Sequence, residues 1–195
     1  MRIISGSFKG KKILEPKDSK TRPLKDLTKE SIFNIIEHSN KFKIDLNKSN
    51  ILDLFSGVGS FGIECLSRGV KKVIFVENYN KVLPLLKNNL ANLKSNINFE
   101  IIEKDIINSN IFSEFNEKFD LVFLDPPFKE DKINNILIKI CEEKILNKIN
   151  KIRVDIAIFI ESYDLNEKES IYGVFEILEN GVQLFGDYAK AHARL

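Results

Sequence analysis

The stretch ILDLFSGVGSFG, residues 51–62, decides the fold. Its apolar run is interrupted only by Asp53 and ends in three glycines, Gly57, Gly59 and Gly62, beyond which IECLS continues at helical spacing. That order predicts a buried strand, a tight turn and a helix. The spacing Gly57-x-Gly59-x-x-Gly62, with Glu77 about twenty residues further on, brings backbone close to a ligand at the carboxyl end of a strand. Spacing alone does not choose the ligand, because dinucleotide sites share it. Charge does. A pyrophosphate at this turn would be repelled by Asp53, whereas a ligand carrying an ammonium and a sulfonium would be attracted, and S-adenosylmethionine is such a ligand.

Downstream, short apolar runs alternate with helical patterns: KKVIFVE, a helix from Asn80, INFEII, a short helix near Ile111, FDLVFLD, a helix from Asp131, and VDIAIFIE. Apolar strands between amphipathic helices predict a parallel sheet covered on both faces. The tail breaks the rhythm, since VFEILENGVQLF and DYAKAHARL are separated only by Gly186 and Asp187 and can join only as an antiparallel hairpin. Alternation there sets Ala189, Ala191, Ala193 and Leu195 on one face, against Tyr188, Lys190, His192 and Arg194. Upstream, RIISG and KKILEP flank SFKG as a second hairpin with Gly6 and Gly10 at its turn positions. A polar loop from Pro16 to Asp26 then leads into LTKESIFNIIEH, a helix for which Asp26 or Thr28 is the available cap.

A chain of 195 residues, 43% hydrophobic, fits one domain with one core. Residues 1–25 read as a basic hairpin and loop, and residues 26–195 as the α/β body. Cys65 and Cys141 have no metal-ligand spacing and read as small core residues in a reducing cytoplasm. No apolar run approaches the roughly 20 residues of a membrane span. Charge is segregated: residues 1–25 carry eight Lys or Arg against two acids, a balance of +6, while the whole chain is only +2. Such a segment gathers polyanions, and Arg2, Lys9, Lys11, Lys12 and Arg22 are the candidate phosphate contacts.

Two more acids follow predicted strands. Glu77 closes KKVIFVE, where its oxygens could accept from both hydroxyls of a ribose, and Asp105 follows INFEIIEKD, where it could accept from an adenine amino group. FLDPPF is more specific. Pro126 and Pro127 stiffen the loop after a buried strand, so the Asp125 carboxylate and neighbouring carbonyls point in set directions. Acceptors without competing donors suit an –NH2 group, and Phe128 could stack on a flat base.

Together RIISGSFKGKKI, TRPLKDLTKESIFNII, ILDLFSGVGSFGIECLSRG, VIFVE, LDPPF and FGDYAKAHARL resemble the bacterial small-subunit ribosomal RNA guanine-N2 methyltransferases, the RsmD-like enzymes, nearly end to end. The resemblance implies a Rossmann-like class I methyltransferase with a seven-stranded, mostly parallel sheet, an antiparallel C-terminal hairpin and a small N-terminal β-hairpin. It implies S-adenosylmethionine as cofactor, held by Asp53, Phe55, Gly57, Gly59, Glu77, Asn78, Asp105 and Ile106. It further implies a guanine in small-subunit RNA, free or in an assembling ribosomal particle, as the partner of Asp125, Pro126, Pro127 and Phe128. The expected transfer is direct and in line to the amino nitrogen of an unstacked base, without metal or covalent enzyme intermediate, in a cytoplasmic monomer. Leu24, Phe185 and Tyr188 depart from the residues usual in that family, threonine, tyrosine and threonine. An adenine-N6 methyltransferase, a protein glutamine methyltransferase and a noncatalytic RNA-binding assembly factor are the alternative readings.

Overall fold

The computed structural model describes residues 1–16, 24, 26–38, 44–93, 97–126, 133–147, 156–162, 170–178 and 181–187. Strands β1 (Asn50–Leu54), β2 (Lys72–Val76), β3 (Phe99–Ile102), β4 (Leu121–Leu124) and β5 (Ile156–Ser162) lie in the order β3-β2-β1-β4-β5, every neighbour parallel. Chain order reverses between β1 and β4, and the carboxyl ends of strands flanking such a reversal form the usual ligand crevice of an open α/β sheet. Beyond β5, β6 (Ser170–Leu178) and β7 (Gly181–Asp187) pair antiparallel.

The central strands are apolar because both faces are covered. Ile51, Val73, Phe75, Leu121 and Phe123 pack with helices α1 (Asp26–His38), α2 (Ser60–Ser67) and α3 (Leu83–Ala91). Leu52, Leu54, Ile74, Val76, Val122 and Leu124 pack on the other side with α4 (Ile133–Glu142) and the 3-10 turn Ile111–Glu114. Each such buried side chain contributes roughly 1.5–3 kcal/mol. The rings of Phe33, Phe61 and Phe123 stack through the first face, with centroids 5.2 and 3.9 Å apart. Cys65 is buried within α2, as its reading as a core residue requires.

Three boundaries differ from expectation, each for a local reason. Helix α3 begins at Leu83 rather than near Asn80, because Pro84 lacks an amide hydrogen and is tolerated only in the first turn. The C-terminal connection falls between Leu178 and Gly181 and not at Gly186–Asp187, which lies inside β7. The Asn180-Gly181 pair is the stronger hairpin signal, and residues 188–195 lie outside the described residues. Asp26 sits inside the first turn of α1 rather than capping it, 3.5 Å from both the backbone amide and the Nε of Arg2.

The N-terminal hairpin is reduced to a single antiparallel bridge, Arg2 to Lys12, extended by Ile3 N–H to the Lys11 carbonyl at 2.9 Å and Ile13 N–H to the Met1 carbonyl at 3.1 Å. A longer ladder does not form because the amides of Ile4 and Ser5 donate instead to the carboxylate of Glu64, at 2.8 and 2.9 Å. Ile3, Phe8 and Ile13 turn inward and join the core. At Gly6 (φ 79°) a Cβ would stand 1.8 Å from the Ser67 carbonyl oxygen, whereas at Gly10 (φ 85°) it would meet nothing within 4 Å. Gly10→Ala should therefore cost only the left-handed backbone penalty, about 1–2 kcal/mol. Gly6→Ala adds a backbone clash of about 1–3 kcal/mol. Thermal denaturation of the two variants should show that gap, and equal losses would contradict this docking.

Candidate active site

Asp53, at the penultimate position of β1, is 1% exposed. Its Oδ2 accepts the Gly62 amide at 2.9 Å, while Oδ1 is buried with no hydrogen-bond partner among the described residues. Gly62 makes this contact possible: a Cβ there would lie 2.3 Å from the Phe75 ring and 2.8 Å from Asp53 Oδ2. Burial pushes the Asp53 carboxyl well above the usual carboxylate range, opposed by the Gly62 amide and reinforced by the negative charges of Asp125 and Glu77. Three acids from the ends of β1, β2 and β4 thus share one electrostatic environment.

Phe55 follows β1 with φ 56°, a left-handed conformation uncommon for a bulky residue, and leans on the second core cluster. The reversal sends Ser56 toward β2, where its amide and hydroxyl donate to the Val76 carbonyl at 3.1 and 3.0 Å. Gly57 then donates its amide to Glu77 Oε2 at 2.7 Å, and Gly59 caps α2. Glu77 Oε1 accepts the amides of Asn78 and Tyr79 at 2.9 and 2.8 Å. The expectation that Glu77 is open to two ribose hydroxyls is therefore narrowed. Oε1 already has two donors, and Oε2 keeps one lone pair beside the glycine turn. Asn78 is exposed at the same corner.

Asp105 is likewise engaged. Its Oδ1 accepts the amides of Ile107 and Asn108 at 2.8 and 3.1 Å, and its Oδ2 accepts the Asn108 side-chain amide at 2.8 Å. It shapes the turn after β3, and this narrows its reading as an acceptor for adenine to Oδ2. The Ile106 side chain is 3% exposed in the core, so any ligand contact from this position comes through its backbone. Asp125 follows β4, half-buried, and burial pushes its carboxyl up to about 7. Pro126 beside it is buried, and Pro127 and Phe128 lie outside the described residues.

Of the basic candidates, Arg2, Lys9, Lys11 and Lys12 are exposed, and Arg22 lies outside the described residues. Lys11 proves to be a tether. Its ammonium lies over the Phe8 ring at 4.9 Å and donates to the carbonyls of Asn92 and Leu93, at 3.4 and 3.3 Å, just beyond α3.

Sequence reasoning missed the polar anchor beneath this segment. Lys29 and Glu64 are both fully buried, 3.6 Å apart, and Lys29 Nζ also donates to the Arg2 carbonyl at 2.8 Å and to Ser60 Oγ at 3.4 Å. Burial lowers the Lys29 pKa against the attraction of Glu64 and Asp26. Arg68 donates to Glu64 at 3.1 Å and to Glu37 at 2.6 Å with its guanidinium 4.1 Å over the Phe33 ring. The carbonyl and hydroxyl of Ser67 accept the amides of Ser7 and Phe8 at 2.7 and 3.0 Å. Glu64 and Arg68, four apart on one helix, gave the available signal. Nothing in sequence paired them with residues 4–8.

Acids around a buried acceptor at a chain-reversal crevice suit a cationic cofactor and repel an anionic one, and Asp53 Oδ1 is a buried acceptor still lacking a donor among the described residues. On this sheet that is the crevice of a Rossmann-like methyltransferase, an enzyme that uses S-adenosylmethionine. A solved Haemophilus influenzae chain described as a candidate methylase is 30% identical, with a TM-score of 0.61 over 87% of this chain and 88% of its own. An Escherichia coli chain at 23% identity shares the fold, with a TM-score of 0.66 over 94% of each. The profile of the family described as Conserved hypothetical protein 95 matches residues 1–178, and the chain belongs to that family, the RsmD-like family of the sequence resemblance. The Haemophilus influenzae protein named ribosomal RNA small subunit methyltransferase D is 35% identical over 147 residues, 75% of this chain and 73% of its own. A Bacillus subtilis candidate rRNA methyltransferase, YlbH, is 36% identical over 149 residues, 76% of this chain and 78% of its own. No described helix is long and apolar enough to cross a membrane.

Proposed function

We propose that the chain transfers a methyl group from S-adenosylmethionine to the exocyclic N2 amino group of a guanine in small-subunit ribosomal RNA, as a cytoplasmic single-domain monomer. Its scaffold is the seven-stranded class I sheet closed by an antiparallel hairpin. The observation that carries the reading is Asp53 Oδ1, buried without a donor among the described residues, on a carboxyl that the charges of two other acids act upon. The relatives' names supply small-subunit RNA as the substrate class.

Asp53 accepts from the cofactor's ammonium, and Glu77 Oε2, held beside Gly57, accepts from one ribose hydroxyl. Phe55, Gly57 and Gly59 shape the turn against it, while Asn78, Asp105 and Ile106 form the wall toward the nucleoside. The bound cofactor supplies a methyl group made electrophilic by a sulfonium. Asp125, with the carbonyl of Pro126 beside it, accepts from the target –NH2 and orients its weakly nucleophilic nitrogen. It also offsets the positive charge that develops there. Pro127 stiffens the corner, and Phe128 stacks on the base. Arg2, Lys9, Lys11, Lys12 and Arg22 neutralise RNA phosphates, and Lys11 also ties residues 1–14 to the end of α3.

Calorimetric titration tests the cofactor assignment. S-adenosylmethionine should bind and NAD should not. Asp53→Ala and Glu77→Ala should each weaken binding about 10- to 100-fold, the worth of a charge-assisted hydrogen bond. Glu77→Ala should have the larger effect, because it also releases the amides of Gly57, Asn78 and Tyr79. Parental affinity in both variants would refute the assignment.

A further inference from the structure

Asn89 lies on α3, 4% exposed, and among the described residues its side chain hydrogen-bonds only to backbone. Its Oδ1 accepts the Leu14 amide at 2.8 Å. Its Nδ2 donates to the Leu14 carbonyl at 3.2 Å and to the Val58 carbonyl at 3.1 Å. One side chain thus pairs with both polar groups of Leu14, as a neighbouring strand would, and holds the residue between Gly57 and Gly59. The amide's orientation is fixed by these partners, since rotating it would face –NH2 to an amide hydrogen and oxygen to two carbonyls. Such a bridge is more than local anchoring. Leu14 ends the segment that begins with Arg2, Lys9 and Lys12, and Val58 lies inside the glycine turn.

A second tie runs parallel to it. Lys29 joins the Arg2 carbonyl to Ser60 Oγ, at the first residue of α2 directly after the same turn. Lys11 fixes the segment to the C-terminal end of Asn89's own helix. The basic segment and the glycine turn are therefore connected at both of the segment's ends by hydrogen bonds that are part-buried at the segment and buried at the turn. An element that two ligands both bias couples their binding, and the coupling is reciprocal.

We infer that Asn89 is a positioning residue that couples the cofactor turn to the RNA-binding segment, so that cofactor at Gly57–Gly62 orders the backbone at Leu14 and RNA on the segment tightens the cofactor site. This rests on the function proposed above. Asn89→Asp is the most discriminating variant: it is nearly isosteric and keeps the acceptor for the Leu14 amide, but sets a carboxylate against the carbonyls of Leu14 and Val58. In the parent, small-subunit ribosomal RNA should raise affinity for S-adenosylhomocysteine about tenfold, within the usual range of coupling between sites. In Asn89→Asp that ratio should fall to about one. A residue that only stabilised the fold would lower the melting temperature and leave the ratio intact, so a parental ratio in the variant, or a ratio of one in the parent, overturns the inference. Hydrogen exchange on the parent protein serves if the variant fails to fold. S-adenosylhomocysteine alone should slow exchange of the Leu14 amide about tenfold, together with those of Gly57 and Gly62. Slowing at Gly57 and Gly62 with none at Leu14 overturns the coupling while leaving the cofactor site standing. No slowing at any of the three overturns the cofactor site and the coupling with it.

Discussion

Asp125→Ala should lower methyl transfer by about 100- to 1,000-fold, the effect of removing one preorganised group from a developing charge, while S-adenosylmethionine affinity stays within about twofold. The separation follows from position. Asp125 directly follows β4 and is assigned to the base, whereas the acceptors assigned to the cofactor come from β1 and the end of β2. Its carboxyl is raised by burial to about 7, so in the free enzyme it loses its proton near neutrality. Only the ionised form offers acceptors without a donor. The pH profile of kcat/KM should therefore rise through about pH 7 and level above it. Asp125→Asn, which keeps one acceptor oxygen and does not titrate, should retain much of the rate and lose that limb. Stability runs the other way. A carboxyl with a raised folded pKa binds its proton more tightly in the native state, so it withdraws stability as pH rises from the unfolded value toward 7. Asp125→Asn should therefore raise the melting temperature more at pH 8 than at pH 5. Near-parental turnover of Asp125→Ala would remove it from the reaction.

Glu64→Ala should destabilise the fold by about 3–5 kcal/mol, the usual loss when one member of a buried ion pair is deleted. For a chain of this length that shifts the melting temperature by on the order of 10 °C. The variant strands the buried ammonium of Lys29 and leaves the amides of Ile4 and Ser5 without an acceptor. Lys29→Met should cost distinctly less. It removes a charge whose burial is unfavourable, and Glu64 keeps Ile4, Ser5 and Arg68 as donors. Denaturant titration of the two variants reads this asymmetry. Equal losses would mean that Glu64 acts only as the counter-ion of Lys29 and not as the dock for residues 4–5.

What was legible in the sequence was what repeats locally. The apolar runs at Ile51–Leu54, Val73–Val76 and Leu121–Leu124 fall in strands, and the glycines after Asp53 mark the turn. The same reasoning found the acids at the strand ends but could not tell which oxygens the backbone already uses. Asp105 was read as facing a ligand because its position is right, yet its carboxylate closes the turn at Ile107 and Asn108. Lys11 was counted among the RNA cations by charge; that its ammonium also lies over Phe8 and meets the carbonyls of Asn92 and Leu93 could not be read from sequence. Lys29 and Asn89 gave no sign at all. A lysine and an asparagine on amphipathic helices read as solvent-facing, and their burial depends on backbone groups 27 and 75 residues distant. The basic segment stood out by its charge alone. Its attachment through Glu64 and Ser67 is a tertiary fact that no local pattern encodes.

Methylation of guanine N2 in small-subunit ribosomal RNA is a chemical event with a distinct product. Incubating the protein with methyl-labelled S-adenosylmethionine and small-subunit RNA, both free and in partly assembled particles, followed by digestion to nucleosides, tests it directly. Label should appear in N2-methylguanosine at one nucleotide and be absent with Asp125→Ala. Label in N6-methyladenosine, in protein glutamine, or nowhere although the cofactor binds, would contradict the proposed function.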